Sequence, residues 1–73
     1  MKKIKLGKYR HFKGGEYEVI GIGKHSETIE EFVVYKALYD EGQIWIRPKN
    51  NFLEVIVRGG RKIPRFKYVY VNN

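Results

Sequence analysis

Cysteine is absent from this 73-residue chain, and proline (two), tryptophan (one) and methionine (one) are scarce. Without cysteine there is no disulfide staple and no thiolate zinc site, so the fold must hold by packing and hydrogen bonds alone. Acidic residues are few as well, eight against fifteen Lys and Arg, a formal net charge of +7. Long apolar runs are missing. Phe32 to Tyr35 and Tyr68 to Val71 fall far short of the roughly 20 residues that a membrane-spanning helix requires. Met1-Lys2-Lys3 leads into Ile4-Lys5-Leu6-Gly7-Lys8, which is not the apolar stretch of a signal peptide. The expected setting is the cytoplasm, with no membrane.

What is present suits one small domain. Hydrophobic residues make up 42% of the chain, enough for a single core that buries roughly 60% of the unfolded surface. No repeat, Pro/Ser-rich linker or low-complexity tract divides it, so residues 1–73 read as one domain. Its core runs over about 7–71, with 1–6 and 72–73 as loose ends. Charge is segregated. Residues 1–15 carry six basic and no acidic residues, 16–41 carry two basic and seven acidic, and 42–73 carry seven basic and one acidic. An anionic middle between cationic ends favours internal pairing of part of the excess.

Gly14-Gly15, Asp40-Glu41-Gly42 and Gly59-Gly60 punctuate segments rich in Val, Ile and aromatic residues, which is hairpin punctuation. Strands are expected near Tyr9–Lys13, Glu16–Lys24, Glu31–Tyr39, Gln43–Arg47, Leu53–Arg58 and Tyr68–Val71. Gly21 and Gly23 fall inside the second, where they allow a bend or bulge. In the fourth strand Ile44 and Ile46 share one face and Trp45 and Arg47 the other, and one of these faces must be core. The stretch from Thr28 has a rival reading. Thr28-Ile29-Glu30-Glu31 has the capping-box form of a helix start, but Phe32-Val33-Val34-Tyr35 concentrates β-branched and aromatic residues, which favours a strand. Pro64 lacks an amide donor and marks a turn or 3₁₀ step before the last strand. The expected fold is all-β: a small SH3-like barrel of five or six short antiparallel strands with a 3₁₀ turn.

Few residues can do chemistry. His11, His25, Ser26, Thr28 and the carboxylates are the candidates for nucleophile or acid–base roles. His25 and Ser26 are adjacent, so in extended backbone they point to opposite faces. Their simpler use is to close a turn, with Glu27 and Thr28 bonding loop amides. A metal site from His11, His25 and Glu27 lacks a recognisable ligand spacing. Gly21-Ile22-Gly23 lacks the third glycine and the helix of a dinucleotide fingerprint. Ala37-Leu38-Tyr39-Asp40 copies a peptide-binding SH3 motif, but Trp45 follows too closely for that groove. No enzyme, cofactor or metal is expected. The mixtures Tyr9-Arg10-His11-Phe12-Lys13, Trp45-Ile46-Arg47 and Arg65-Phe66-Lys67-Tyr68 interleave cations with rings, as surfaces for single-stranded nucleic acid do.

A set of short motifs also carries a resemblance: Gly7 to Gly15, Tyr17-Glu18-Val19, His25-Ser26-Glu27-Thr28, Val34 to Tyr39, Trp45-Ile46-Arg47-Pro48, Phe52 and Ile63-Pro64-Arg65-Phe66. Their order resembles the bacterial domain-of-unknown-function family numbered sixteen fifty-three, over Gly7 to Phe66. The resemblance implies a compact, usually free-standing SH3-like β-barrel and supports a strand over Phe32 to Tyr39. It implies no established activity. The chain departs from it at Lys49-Asn50-Asn51, where relatives tend to be more apolar. Polar residues inside these motifs are Arg10, His11, His25, Ser26, Glu27, Thr28, Arg47 and Arg65. Such residues either satisfy backbone in a tight fold or contact a ligand. Glu27 beside Arg10 or Arg47 would be an internal ion pair.

The candidate ligand-binding set is therefore Arg10, His11, His25, Glu27, Thr28, Trp45, Arg47 and Arg65. The expected function is a non-catalytic, monomeric binding module that leans toward nucleic acid or a nucleotide-bearing partner. The alternative is a protein or peptide surface using exposed tyrosines such as Tyr68 and Tyr70, and a third reading is a small-ligand pocket or minor enzyme using His25 and Glu27.

Overall fold

The computed structural model describes residues 4–69. Seven short strands and one helical turn alternate along the chain: β1 (Gly7–His11), β2 (Glu16–Lys24), β3 (Glu31–Ala37), β4 (Ile44–Pro48), α1 (Lys49–Phe52), β5 (Val55–Arg58), β6 (Arg61–Pro64) and β7 (Phe66–Tyr68). Five strands form one antiparallel sheet in the order β4-β3-β2-β1-β7, and β5 and β6 form a separate two-stranded hairpin. Among the described residues no helix is long and apolar enough to cross a membrane.

Strand parity assigns the faces. Val33 pairs with Ile22 and Arg47, Tyr35 with Val19 and Trp45, Ala37 with Tyr17, Tyr9 with Tyr17 and Tyr68, and His11 with Phe66. Directly opposed residues point to the same side. These positions therefore form one inner face, and Tyr9, Val19, Val33, Tyr35, Ala37 and Phe66 on it are buried. Phe52 from α1 closes over them and stacks on Phe66 with centroids 4.3 Å apart. Trp45 and Arg47 thus belong to the core side, but only Arg47 reaches inward, while Ile44 and Ile46 lie on the outer face and are exposed.

The strand reading of Glu31 onward holds, and β2 shifts register between Val19 and Gly21, leaving Ile20 as the extra residue of a bulge where the glycines fall. Gly59 and Gly60, at φ 58° and 76°, supply the two left-handed residues that a tight turn between β5 and β6 requires.

Three features differ from expectation. Lys49-Asn50-Asn51-Phe52 forms a helical turn after Pro48, whose fixed φ suits a helix entrance. Its polar residues are used: Lys49 pairs with Glu31 at 3.0 Å and Asn51 accepts from Arg47 at 2.6 Å. Pro64 ends β6 and the bend at Arg65 leads into β7, so the expected break before the last strand forms as a bend and not as a 3₁₀ step. The last strand begins earlier, at Phe66, because the core claims that ring.

The Tyr70–Val71 end of that expected strand, and residues 1–3 and 72–73 of the expected loose ends, lie outside the described residues. Within them, Ile4 packs against the core and Tyr9 Oη–H donates to the Lys5 carbonyl at 2.8 Å.

Candidate nucleic-acid interface

The sheet divides the sequence-derived candidates into three places. His25, Glu27 and Thr28 sit in the β2–β3 turn. There His25 Nδ1 accepts the backbone N–H groups of Glu27 and Thr28, at 3.1 and 3.3 Å. Thr28 Oγ1 accepts the N–H of Glu30 at 3.2 Å. Side chains that bond their own loop in this way are structural. The hollow beside His25, about 170 Å³, is lined by Gly23, Lys24, Phe32, Val34 and Ile46 and receives no carboxylate. The expected pairing of Glu27 with Arg10 or Arg47 does not form. Arg10 instead meets Glu16, its opposite neighbour across β1–β2, at 2.7 Å.

Arg47, Arg65, Trp45 and His11 gather toward the inner face. The Arg47 guanidinium lies over the Phe66 ring at 5.4 Å, donates through Nε to Tyr35 Oη at 3.1 Å and reaches Asn51. All three partners are neutral, and among the described residues no carboxylate pairs with it. Arg65 pairs with Glu54 at 2.7 Å, while its Nε is buried without a partner. Trp45 stands half-exposed on the open rim. Tyr17 and Tyr39 hydrogen-bond through their hydroxyls, and burial, followed by that bond, pushes the Tyr17 phenol up to about 12.

The third place is open. At the junction of β1, its following turn, the end of β6 and β7 there is a cleft of about 350 Å³, lined by Arg10, His11, Phe12, Ile63, Pro64 and Lys67 together with Gly14. The register of β1 against β7 sets Arg10 beside Lys67 on the outer face. Phe12 and Pro64 provide apolar walls, and among the described residues no carboxylate lines the cleft. Glu16 is shared between Lys8, at 3.0 Å, and Arg10, and Glu18 stands between Lys8 and Lys36 in the ladder, so with Lys67 the outer face sets four cations against two anions. Arg10 and Lys8 hold the Glu16 carboxyl below its ordinary value.

Phe12 is flanked by cations. Lys13 Nζ lies 5.8 Å and the Arg58 guanidinium 5.7 Å from its ring centroid. Arg58 in turn pairs with Arg61 at the tip of the hairpin, next to Lys62. Burial, and then the charges of Arg47, Arg65 and Lys13, hold His11 below its ordinary 6.5. Its Nδ1 accepts the N–H of Lys13 at 3.1 Å.

Of the expected site residues, only Arg10 and His11 line this cleft. Phe12, Pro64, Lys67 and the hairpin cations were absent from the expected set. Their signal lay in the alternation of Arg65-Phe66-Lys67-Tyr68: once Phe66 is core, Lys67 must face outward beside its β1 neighbour.

Comparison with known proteins adds a family. Residues 7–68 match the family model described as "Protein of unknown function (DUF1653)". The crystal structure of a DUF1653 protein from Bordetella bronchiseptica is similar at a TM-score of 0.84 and 34% sequence identity, over 97% of this chain and 95% of that one. No curated protein matches the chain significantly.

Proposed function

This chain belongs to the DUF1653 family, and from that premise we propose that it is a non-catalytic module that binds single-stranded nucleic acid in the cleft between Arg10 and Lys67. The observation that carries the reading is the composition of that cleft, with cations on its walls, a ring and a proline beside them, and no carboxylate among the described residues that line it. Single strands are held by cations on phosphates and rings on bases, and each stacked base contributes about 1–3 kcal/mol. Phe12 supplies the ring, Arg10 and Lys67 the phosphate contacts, and Lys13, Arg58, Arg61 and Lys62 a basic track along the hairpin.

In this reading the two sheets are the halves of a small SH3-like barrel, the module works in the cytoplasm, and it uses no cofactor. The use of His25 and Thr28 in their own turn supports a non-catalytic role. A protein or peptide surface, the alternative, would use Tyr68, which is partly exposed with its ring edge-on to Tyr9; Tyr70 lies outside the described residues.

The test is fluorescence anisotropy with a labelled oligonucleotide across a salt series. Binding should weaken linearly in log–log form, and Arg10→Ala or Lys67→Ala should each reduce the slope by about 0.7. Phe12→Leu should weaken binding by about 5- to 100-fold at every salt concentration. Absence of saturable binding at low salt would remove the reading.

A further inference from the structure

Strand β4 is one edge of the five-stranded sheet. Edge strands are ordinarily blunted by charge, a bulge or proline, yet Ile44, Trp45 and Ile46 are consecutive, uncharged and exposed at 55%, 47% and 63%. The ladder shows which backbone groups are open. Ala37 N–H donates to the Gln43 carbonyl at 2.9 Å across the β3–β4 pair, so Gln43 turns its groups toward β3. Bonded pairs alternate along an antiparallel ladder, so Trp45 and Arg47, opposite Tyr35 and Val33, do the same. The N–H and C=O groups of Ile44 and Ile46 therefore point outward, away from the sheet. Pro48 occupies the next outward position, where it has no N–H to offer.

We propose that this edge pairs with β4 of a second copy of the chain, antiparallel about a two-fold axis through Trp45, to make one continuous sheet. In that register Ile44 lies opposite Ile46 of the second copy, and every outward N–H and C=O of these residues finds a partner. The isoleucines of both copies then join one apolar strip on the outer face, beside Val34. Charge fits the same register. Arg47, the one charged residue of β4, comes opposite Gln43 of the second copy, so no like charges are opposed. Moving the axis to Ile46 would instead set Ile44 against Pro48 and leave the Ile44 carbonyl without a donor. The edge is at the far end of the sheet from β7, so pairing leaves the cleft open.

The chain has no cysteine, which makes the register directly testable. Directly opposed residues of a non-bonded pair lie about 4.5 Å apart at Cα, within the range of about 4.4–6.8 Å that a disulfide spans. Under mild oxidation Trp45→Cys should therefore link into a covalent dimer, while Val57→Cys, on the exposed hairpin, stays monomeric. In sedimentation equilibrium the unmodified 8.7 kDa chain should double its mass with concentration. Ile46→Pro removes an outward N–H without touching a bond to β3, and should sediment as a monomer with an unchanged circular dichroism spectrum. If proline disturbs the strand, Ile46→Lys should give the same monomer, because it sets a charge against Ile44 of the second copy and breaks the apolar strip. A chain that stays monomeric at the concentrations used for NMR, or a Trp45→Cys variant that cross-links no faster than Val57→Cys, would overturn the proposal.

Discussion

Phe66 lies parallel to Phe52 within 7°, their centroids 4.3 Å apart, and this stack joins the last strand to the only helical turn among the described residues. Tyr9 and Tyr35 meet the edges of the pair, Tyr9 at 5.3 Å from Phe52 and Tyr35 at 5.5 Å from Phe66. The aromatic cluster spans β1, β3, α1 and β7; the strands are also linked through the sheet, and α1 through the Lys49–Glu31 and Arg47–Asn51 contacts. Replacing Phe52 by Ala should cost about 3–5 kcal/mol. That is most of the stability of a domain this small. Urea unfolding followed by tyrosine fluorescence should show the Phe52→Ala midpoint shifted far below that of the parent, or no folded baseline at all.

Arg47 is anchored by neutral groups, and Tyr35 Oη is one of them. The variant Tyr35→Phe keeps the ring in the core and removes only that acceptor. Loss of a hydrogen bond to a charged group should lower stability by about 1.5–3 kcal/mol. Thermal denaturation of Tyr35→Phe beside the parent checks this, and an unchanged midpoint would mean that Asn51 and Phe66 suffice to hold Arg47.

Ile29 sits in the β2–β3 turn at φ 63°, in the left-handed region, and is exposed. For an L-residue that conformation costs roughly 1–2 kcal/mol, and asparagine tolerates it better. Ile29→Asn should therefore raise stability by about 1 kcal/mol, read as a higher urea midpoint with the same slope. The backbone N–H of Ile29 already donates to the His25 carbonyl at 2.8 Å, so the turn itself is retained.

Much of the fold was legible because alternation and turn residues act locally. Gly59-Gly60 and the β-branched run from Phe32 each declared themselves. The helical turn at Lys49 did not, since Lys49 finds its partner in Glu31, 18 residues earlier in the chain, and no local motif announces that the nearby Arg47 bonds Asn51. The candidate site was legible only in part, for a reason of parity. Arg10 and His11 are neighbours that point to opposite faces of β1, and they meet only at the rim of the cleft. Arg47 and Arg65 looked equivalent to Arg10 as motif cations, yet tertiary packing used them against Phe66 and Glu54. The contribution of Lys67 depended on knowing which strand lies beside β1.

The lowered proton affinity of His11 sets a pH dependence. The unfolded chain takes up a proton near 6.5, and the folded chain does so only at lower pH. The stabilising contribution is complete above 6.5 and is lost as pH falls through the interval down to the folded value. His11→Asn retains an oxygen to accept the Lys13 amide and removes the titration. Urea midpoints at pH 7.5 and 5.5, about one unit either side of that value, should differ less for His11→Asn than for the parent. Glu16, held below 4.5, acts at more acid pH, so its contribution is retained across this range.

The central claim is that the cleft beside Arg10 holds single-stranded nucleic acid, and amide NMR titration with short RNA and DNA at two salt concentrations tests it most directly. Shifts should cluster on Arg10, His11, Phe12 and Lys67, extend to Arg58 and Arg61, and shrink at the higher salt. Shifts that are absent at low salt, or that cluster on the His25 turn or on Trp45 instead, would contradict it.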